Sequence, residues 1–305
     1  MVNIRRWMAL WFAVAASGVV SAQENVADGV LPGGNLVACE TYSLRDLFKE
    51  QKPDPKKPWI GKYPQLTLET FPTMMKDLGL KGLAINDMYL PPNWDDAYLD
   101  KVKAAAKAEG RVIVAFIMGG GLATADEAGR QRNIEAVQKK MRAAHRLGAP
   151  VVRIDLGGPG KGIDESVGVQ NCIDSFKKLL PLAKELNIKM TIENHGGVSG
   201  KSENIIRIIE ETDRAWVGSC LDFKNWPKDK ATEECLKMIP YAYHTHAKSH
   251  AFKEDGEEAA SDYKTILEAL KKSGYKGPIS IEFEGGGDPV EGVKKTRDLI
   301  IRHWK

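Results

Sequence analysis

Short apolar runs rich in β-branched residues alternate along the chain with longer segments of helical periodicity. The short runs have the length and composition of buried strands. In the longer segments apolar residues recur three or four positions apart, as on one face of an amphipathic helix. The pattern predicts eight strands, at residues 35–40, 82–85, 111–117, 151–155, 189–193, 216–221, 241–246 and 278–282. It also predicts eight helices, at residues 68–78, 97–108, 130–147, 169–186, 203–211, 230–238, 263–273 and 289–301.

Regular alternation of strands and helices indicates a parallel sheet with right-handed crossovers. Eight such units close a barrel, and the chain of 305 residues is long enough, since a barrel of this kind needs ~250. The alternative is an open, doubly wound sheet, whose first strand is usually followed by a GxGxxG turn. Here the first strand runs into Thr41-Tyr42-Ser43 instead. The sequence therefore predicts the α/β class and a single (β/α)8 TIM barrel.

The N-terminal residues differ from the rest of the chain. Arg5 and Arg6 precede an unbroken apolar run at residues 7–16, and small residues follow at 20–22. This order is typical of a secretory signal peptide, and the run is shorter than the ~20 residues that span a bilayer. We therefore expect a signal peptide at residues 1–22, a barrel domain at residues 23–305, and an exported protein, periplasmic or secreted. An uncleaved anchor is the alternative, and the export route, general secretory or twin-arginine, stays open.

The charge of the chain after the expected signal peptide is nearly balanced. Removing residues 1–22 takes away two arginines and leaves 42 basic against 41 acidic side chains. Nucleic-acid-binding proteins usually carry a clustered positive face, so no nucleic-acid partner is expected. No stable membrane insertion is expected after signal cleavage. The four cysteines form no CxxC pair, and we expect them to be buried free thiols.

Residues that can bind metals follow four consecutive predicted strands. Glu193, Asp222, His246 and Glu282 lie at or just beyond the ends of strands five to eight. In a barrel these ends meet at one mouth, and alternation along each strand can direct such side chains towards the axis. Three carboxylates and one imidazole suit one divalent metal ion, with Mn²⁺ favoured and Mg²⁺, Zn²⁺ and Co²⁺ as alternatives. Glu284 is a reserve ligand if the register differs by two.

Five short motifs resemble those of sugar phosphate isomerase/epimerase-like proteins in the xylose isomerase-like TIM barrel superfamily. They are TYSLRD at residues 41–46, IENHGG at 192–197, LDFKN at 221–225, HTHAK at 244–248 and ISIEFEG at 279–285. Their order and spacing extend the resemblance over essentially the whole chain after residue 22. It implies that Glu193, Asp222, His246 and Glu282 bind the metal. It also implies that Glu193 and Glu282 act as catalytic acid and base.

Further polar residues near the same strand ends are candidates for substrate binding, namely His195, Asn225, His244, Lys248 and Arg153. A structural salt bridge is the alternative for the charged candidates, and interior packing is the alternative for His244. Asn225 stands where several relatives have a histidine, a departure that bears on substrate identity. Cys220, on predicted strand six, is expected to pack in the interior. A proline-rich insertion at residues 50–65 is interpreted as a lid or as a surface loop.

The resemblance and the strand-end residues together predict an enzyme that isomerises or epimerises a ketose or another sugar derivative through a metal-stabilised enediolate. The alternative is a metal-dependent lyase, dehydratase or hydrolase of an oxidised (keto) sugar or glycoside, because the same enediolate can eliminate a substituent. A second alternative is a barrel that binds carbohydrate without converting it. The apurinic endonuclease branch is not favoured, because its extra histidines are missing from residues 85–87 and 116–119. The expected partner is a small-molecule sugar, and association into a homo-oligomer stays open.

Overall fold

The computed structural model describes residues 27–49 and 54–304, and the expected signal peptide lies outside this part of the chain. Eight parallel strands hydrogen-bond in chain order, and the last pairs with the first, so that the sheet closes into a barrel. The predicted (β/α)8 TIM barrel is therefore confirmed. The strands are β1 Val37–Glu40, β2 Gly82–Asn86, β3 Val112–Gly119, β4 Val151–Asp155, β5 Lys189–Glu193, β6 Val217–Asp222, β7 Ala242–Ser249 and β8 Ile279–Phe283.

Nine α-helices within the described residues accompany the strands. All eight predicted helices are present, and α1 is an additional single turn, too short to show periodicity in the sequence. The helices are α1 Arg45–Phe48, α2 Phe71–Asp77, α3 Asp96–Ala108, α4 Glu127–Leu147, α5 Glu165–Leu186, α6 Ser202–Glu210, α7 Ala231–Met238, α8 Tyr263–Lys272 and α9 Pro289–His303. Short 3₁₀ turns occur at Ala27–Gly29, Thr41–Leu44, Asp87–Tyr89, Gly197–Gly200 and Ile239–Tyr241. Among the helices described, none combines the length and apolar character that a membrane crossing requires.

Some helices begin earlier than the apolar pattern predicts, because their first turns are polar. α5 already begins at Glu165, where the N-cap Asp164 accepts a hydrogen bond of 2.8 Å from the backbone N–H of Ser166. A capped first turn needs no buried face, so it shows no apolar periodicity. At their other ends α4 and α5 stop at Gly148 and Asn187, both in the left-handed conformation that commonly terminates helices.

β7 is longer than predicted, and its extension places a further charged side chain inside the barrel. The strand continues beyond residue 246 to Ser249. The register between β6 and β7 shifts once, and beyond the shift Cys220 pairs with His244. Because side chains alternate along a strand, the extension puts Lys248 on the same inward face as His246.

The barrel interior is apolar on one side and polar on the other. Small and medium apolar side chains from β1 to β4 fill the first side, namely Ala38, Ala84, Val114, Ala115, Ile117 and Val151. The strands approach so closely there that a Cβ atom on Gly82 would lie 2.5 Å from the Cβ atom of Ala38. β5 to β8 instead contribute buried polar residues to the interior, namely Thr191, Cys220, His244 and Ser280. The polar side therefore lies on the strands that carry the candidate ligands.

The proline-rich insertion is described from residue 54 onward, and its last part is attached to the barrel mouth. Lys62 Nζ and Tyr63 Oη contact the same oxygen of Asp288, at 2.8 and 3.0 Å. Asp288 is the N-cap of α9 and follows the carboxyl end of β8. The insertion therefore borders the mouth, where either a lid or a surface loop would lie.

Glu258 anchors the loop that follows β7, and we expect its replacement to destabilise the barrel. Its buried carboxylate lies 2.6 Å from Lys224 Nζ and accepts backbone N–H groups of Ala260 and Ser261 at 2.6 and 2.7 Å. Burial raises the pKa of Glu258, but Lys224 and the backbone donors outweigh it and hold this pKa below its ordinary value. Glu258→Gln should therefore lower the free energy of unfolding by about 3 kcal/mol near neutral pH.

The size of this loss should depend on pH. A carboxyl group whose pKa is lower in the folded state than in the unfolded state stabilises the fold. This stabilisation is complete above the unfolded-state pKa, and it disappears as pH falls through the folded-state pKa. Urea unfolding of both proteins at neutral pH and below the ordinary pKa of Glu, about 4.3, measures the difference. An equal difference in unfolding free energy between the two proteins at both pH values would contradict the assignment of Glu258 as an ionised anchor.

Candidate active site

The four candidate ligands meet at the carboxyl ends of β5 to β8. Glu193 ends β5, Asp222 ends β6, and His246 and Glu282 lie within β7 and β8. All four are buried, and one ligating atom from each lies within 4.8 Å of the others. His246 Nδ1 is 3.4 Å from Glu193 Oε1 and 3.2 Å from Glu282 Oε2. The structure thus brings together the four residues that the sequence singled out, here called the upper cluster.

Several ligating atoms of the upper cluster make no well-formed hydrogen bond within the described part of the chain, although charged neighbours lie 3.2–3.4 Å from some of them. Asp222 Oδ2, Glu282 Oε2 and both ring nitrogens of His246 are buried and lack a hydrogen-bond partner among residues 27–49 and 54–304. Leaving such groups unsatisfied costs about 1–3 kcal/mol each, and more when they are charged. A divalent cation bound between them would remove this cost. Three carboxylates and one imidazole are a donor set that Mn²⁺ or Mg²⁺ accepts, so the residues fit the metal that the sequence predicts.

Asp222 is held in place by hydrogen bonds to its carboxylate and to its backbone. Its Oδ1 atom accepts the backbone N–H groups of Lys224 and Asn225 at 2.7 and 2.8 Å. Asn194 exchanges two hydrogen bonds of 2.9 and 3.1 Å with the backbone of Asp222. Burial raises the pKa of Asp222 to about 7, and the ammonium of Lys248 only partly opposes this. The carboxylate is thus oriented for a cation, while its ionised form is disfavoured without one.

Glu193 is fixed by two of the predicted substrate contacts. Arg153 Nε donates a hydrogen bond to Glu193 Oε2, and Asn225 Nδ2 donates to Oε1 at 3.2 Å. Burial raises the pKa of Glu193, but Arg153 and His246 hold it well below its usual range. Glu193 is therefore ionised throughout the physiological range.

Lys248 lies among carboxylates at the edge of the upper cluster. Its ammonium is 3.4 Å from Asp222 Oδ2, 3.3 Å from Glu282 Oε2 and 3.2 Å from Glu284 Oε1, and it donates to Asn225 Oδ1 at 3.2 Å. The side chain is 3% exposed. Burial lowers the pKa of Lys248, but the surrounding carboxylates raise it far above its usual value. Lys248 therefore carries a permanent positive charge beside the cavity.

The same charges set the protonation of His246 and Glu282. Burial lowers the pKa of His246, but the neighbouring thiol of Cys220 and the carboxylates of Glu193 and Glu282 raise it well above its usual range. Burial raises the pKa of Glu282, and His246 is the main group that brings it down to about 2. In the metal-free protein a proton on His246 balances the carboxylates, and a bound divalent cation would replace that proton.

His195 forms a polar pair with Asp155 at the mouth of the cavity. His195 follows β5, and Asp155 is the last residue of β4. His195 Nδ1 lies 3.3 Å from Asp155 Oδ2. The hydrogen bond to Asp155 raises the pKa of His195 above its ordinary value, while partial burial opposes the shift. Its imidazole is about half exposed and faces the cavity, which suits a proton donor to a bound molecule.

His244 lies deeper than the other substrate-binding candidates. It is fully buried, and its ring meets that of His246 edge to face, with centroids 5.3 Å apart. Burial lowers the pKa of His244 well below its usual value, so the ring is neutral. His244 therefore lies beneath the upper cluster, where interior packing was the alternative interpretation.

Glu40 is a buried carboxyl group of the site that the sequence interpretation missed. It ends β1 and is 1% exposed; its Oε2 atom accepts the backbone N–H of Tyr42 at 2.8 Å. Burial, followed by the negative charge of Glu282, raises the pKa of Glu40 to about 8. The sequence does contain a signal for this role, because Glu40 is an acidic residue at the end of a strand, as Glu193 and Asp222 are.

A cavity of about 490 Å³ opens above the upper cluster. Its size lies within the range of small-molecule sites, and its walls carry more charged and amide groups than most such sites. It is lined by Tyr42, Asn86, Met88, Ile117, Arg153, Glu193, His195, Gly196, Asn225, His246, Lys248, Glu282 and Glu284. Such walls offer many hydrogen bonds to a polyhydroxylated molecule of monosaccharide size.

Solved structures of similar fold include sugar epimerases. An L-ribulose 3-epimerase superposes with a TM-score of 0.70 at 16% identity, covering 88% of this chain and 94% of that one. A D-psicose 3-epimerase from Clostridium cellulolyticum H10 superposes with a TM-score of 0.66 at 17% identity, covering 88% of this chain and 95% of that one. At these identities the similarity shows the fold alone.

Two sequence comparisons add to this similarity. The C-glycoside deglycosidase alpha subunit of Arthrobacter globiformis is 38% identical over 77 residues, which are 23% of this chain and 22% of that protein. The match thus spans about a fifth of that relative's length. The family model described as xylose isomerase-like TIM barrel matches residues 73–303, from α2 to α9. The chain therefore belongs to the xylose isomerase-like TIM barrel family.

Proposed function

We propose that this protein is a divalent-metal-dependent isomerase or epimerase of a ketose or a related sugar derivative. The observation that carries the proposal is the upper cluster, in which two glutamates from β5 and β8 share one buried site with an aspartate and a histidine. A cation held there, with Mn²⁺ favoured, would polarise a substrate carbonyl and acidify the adjacent C–H bond. We also propose that the protein is exported, as the pattern of residues 1–22 indicates.

The two glutamates differ in how far they are free to accept a proton. Both oxygens of Glu193 are hydrogen-bonded, to Arg153 and Asn225, whereas Glu282 Oε2 makes only ion-pair contacts in the described part of the chain, with His246 Nδ1 at 3.2 Å and Lys248 Nζ at 3.3 Å. Glu282 is therefore the first proton acceptor. Return of the proton to the neighbouring carbon, the former carbonyl carbon, gives isomerisation, and its return to the original carbon from the side of Glu193 gives epimerisation. A positioned base of this kind contributes ~10²–10⁴-fold to the rate.

Three cationic or amide groups border the cavity, two of which would contact the substrate while the third would act through Glu193. Lys248 and Asn225 border the cavity from β7 and from the segment after β6, and Arg153 borders it from β4. The charge of Lys248 stabilises the oxygen on which negative charge develops when the C–H proton leaves. Arg153 acts through Glu193, whose orientation and ionisation it maintains.

A lyase acting on an oxidised sugar or glycoside is the second candidate, and two observations favour it. One is the similarity to a C-glycoside deglycosidase subunit over 77 residues. The other is the pair of His195 and Asp155, which holds a proton donor at the mouth. Elimination needs such a donor for the leaving group, whereas proton exchange at carbon does not.

Incubation of the Mn²⁺-loaded protein in D₂O with ketoses and 3-keto-glycosides tests both candidates. Proton NMR detects deuterium at the carbon next to the carbonyl, the epimeric or isomeric product, and the released leaving group. Exchange with a new sugar product supports the isomerase or epimerase, and release of the leaving group supports the lyase. Binding of these sugars without exchange or release would sink both proposals and favour a carbohydrate-binding barrel.

His195→Gln should separate the two reactions. If His195 protonates a leaving group, the variant should eliminate ~10²–10⁴-fold more slowly, while C–H exchange should fall far less. The ratio of the two rates, measured in one NMR experiment, is the quantity to compare with the wild type. A parallel loss of both rates would show that His195 holds the substrate instead.

A further inference from the structure

A second group of potential ligands lies directly beneath the upper cluster, and we call it the lower cluster. It consists of Cys220 on β6 and of His244 and His246 on β7. All three are buried, and one ligating atom from each, the Cys220 sulfur and two ring nitrogens, lies within 4.8 Å of the others. Cys220 and His244 are register partners, as Asp222 and His246 are, so the lower cluster lies one layer deeper in the same barrel.

The environment of His244 is incomplete without a ligand. Both of its ring nitrogens are buried, and neither has a hydrogen-bond partner anywhere in residues 27–49 or 54–304. Buried polar side chains are nearly always satisfied, and an unsatisfied one costs about 1–3 kcal/mol. The ring of His246, 5.3 Å away and edge to face, supplies packing but no acceptor or donor on that contact. A metal ion would use the lone pair that this arrangement leaves free.

We propose that Cys220, His244 and His246 form a second cation site, selective for thiophilic metals such as Zn²⁺, Cd²⁺ or Co²⁺. A thiolate and two imidazoles favour such ions, whereas the carboxylate-rich upper cluster favours harder ones. With metal–sulfur bonds of about 2.3 Å and metal–nitrogen bonds of about 2.0–2.1 Å, donors of a tetrahedral site lie roughly 3.5 Å apart. The three donors therefore need to approach by little more than ~1 Å.

The charge and proton balance of this site is favourable. The Cys220 thiol and the protonated ring of His246 each release a proton to solvent when the ion binds, so that the sulfur binds as a thiolate and His246 as a neutral imidazole. The ion, the thiolate and two neutral imidazoles leave one net positive charge in the interior. The carboxylates of Glu193, Asp222 and Glu282 lie one layer above and compensate this charge.

His246 belongs to both clusters, and this couples them. Its Nδ1 atom faces Glu193 and Glu282 in the upper cluster. A ring engaged by an ion in the lower site is a poorer ligand for the upper one, so thiophilic metals inhibit the enzyme. This inhibition rests on the proposed function, whereas the existence of the lower site does not.

Titration of the metal-free protein with Co²⁺ tests the lower site directly. A sulfur–cobalt bond produces a charge-transfer band in the near ultraviolet, which carboxylate and imidazole ligands alone do not produce. We expect the band in the wild type, its loss in Cys220→Ala, and its retention in Cys172→Ala, which removes an equally buried thiol from α5. His244→Gln should weaken the Co²⁺ binding that produces the band by at least ~10-fold.

Asp222→Asn keeps the test independent of the proposed activity. It removes a ligand from the upper cluster alone, so the band should persist when C–H exchange is lost. Wild-type protein that binds Co²⁺ without the band would overturn the lower site and leave the proposed function standing, as would a band that survives in folded Cys220→Ala. A normal band together with no C–H exchange in the Mn²⁺-loaded wild type would overturn the proposed function instead.

Discussion

Asp222→Ala should abolish binding of the divalent metal and reduce C–H exchange by at least ~10³-fold, since a Lewis-acid cation contributes several kcal/mol to such a step. The wild type should contain one equivalent of Mn²⁺ by elemental analysis after reconstitution and desalting, and the variant should contain almost none. Asp222 supplies to the upper cluster a buried oxygen that makes no hydrogen bond to the described residues, and its loss leaves two carboxylates and one imidazole in this group.

Unfolding should not explain this loss. Burial raises the pKa of Asp222 from 3.8 to about 7, so in the metal-free protein its ionised form is held at the expense of stability. When folding raises the pKa of a carboxyl group, the loss of stability grows as pH rises from the unfolded-state pKa to the folded-state pKa. Metal-free Asp222→Ala should therefore unfold at a urea concentration close to that of the wild type.

Asp262→Ala, which removes only the N-cap of α8, is the matched control, and it should retain its metal. Full metal content in Asp222→Ala would refute the upper cluster as the binding site.

Glu282→Gln and Glu193→Gln should both slow C–H exchange by ~10²–10⁴-fold, but they should differ in stability. Glu193→Gln leaves the guanidinium of Arg153 buried beside a neutral amide, a change that costs about 3–5 kcal/mol. Glu282→Gln should cost less, because Lys248 keeps Asp222 and Glu284 as partners. Exchange rates in D₂O and urea unfolding measure the two effects separately.

Glu284→Gln is the control for this pair. Its carboxylate contacts Lys248 and lines the cavity, but it lies outside the upper cluster, so exchange should fall by less than ~10-fold. If Glu282→Gln retained wild-type exchange while Glu193→Gln lost it, Glu193 would be the sole base, and the assignment of Glu282 as the first acceptor would be wrong.

The sequence was sufficient for the fold and for the upper cluster because both depend on regular repeats. Eight alternations of strand and helix specify a barrel, and the barrel in turn specifies where the ends of β5 to β8 meet. Glu40 obeys the same rule, but it ends β1, which lies far from β5 to β8 along the chain and comes beside β8 only through closure of the sheet. α1 was missed because four residues contain no period that a pattern can reveal.

The contacts that adjust the site's charges could not be predicted from the sequence. The pairing of Arg153 with Glu193 depends on the register between β4 and β5, which a one-residue slip would change. The position of Lys248 depends on β7 continuing beyond residue 246, where no turn signal marks its end. Likewise, the nitrogens of His244 have no hydrogen-bond partner among the described residues because no adjoining strand places a donor or acceptor beside them. A sequence pattern does not reveal such an absence.

Closure of the sheet by β8 determines when the proposed enzyme can acquire its metal. Glu282 lies on β8, the last barrel strand in chain order, and that strand takes its place by pairing with β1 through Ser280 and Ala38. Loading of the proposed metal would therefore follow completion of the barrel. The compartment in which folding ends is the one whose metal pool supplies the ion, because availability decides between metals of similar affinity. Unfolded export would then load the protein outside the cytoplasm, and folded export would load it within.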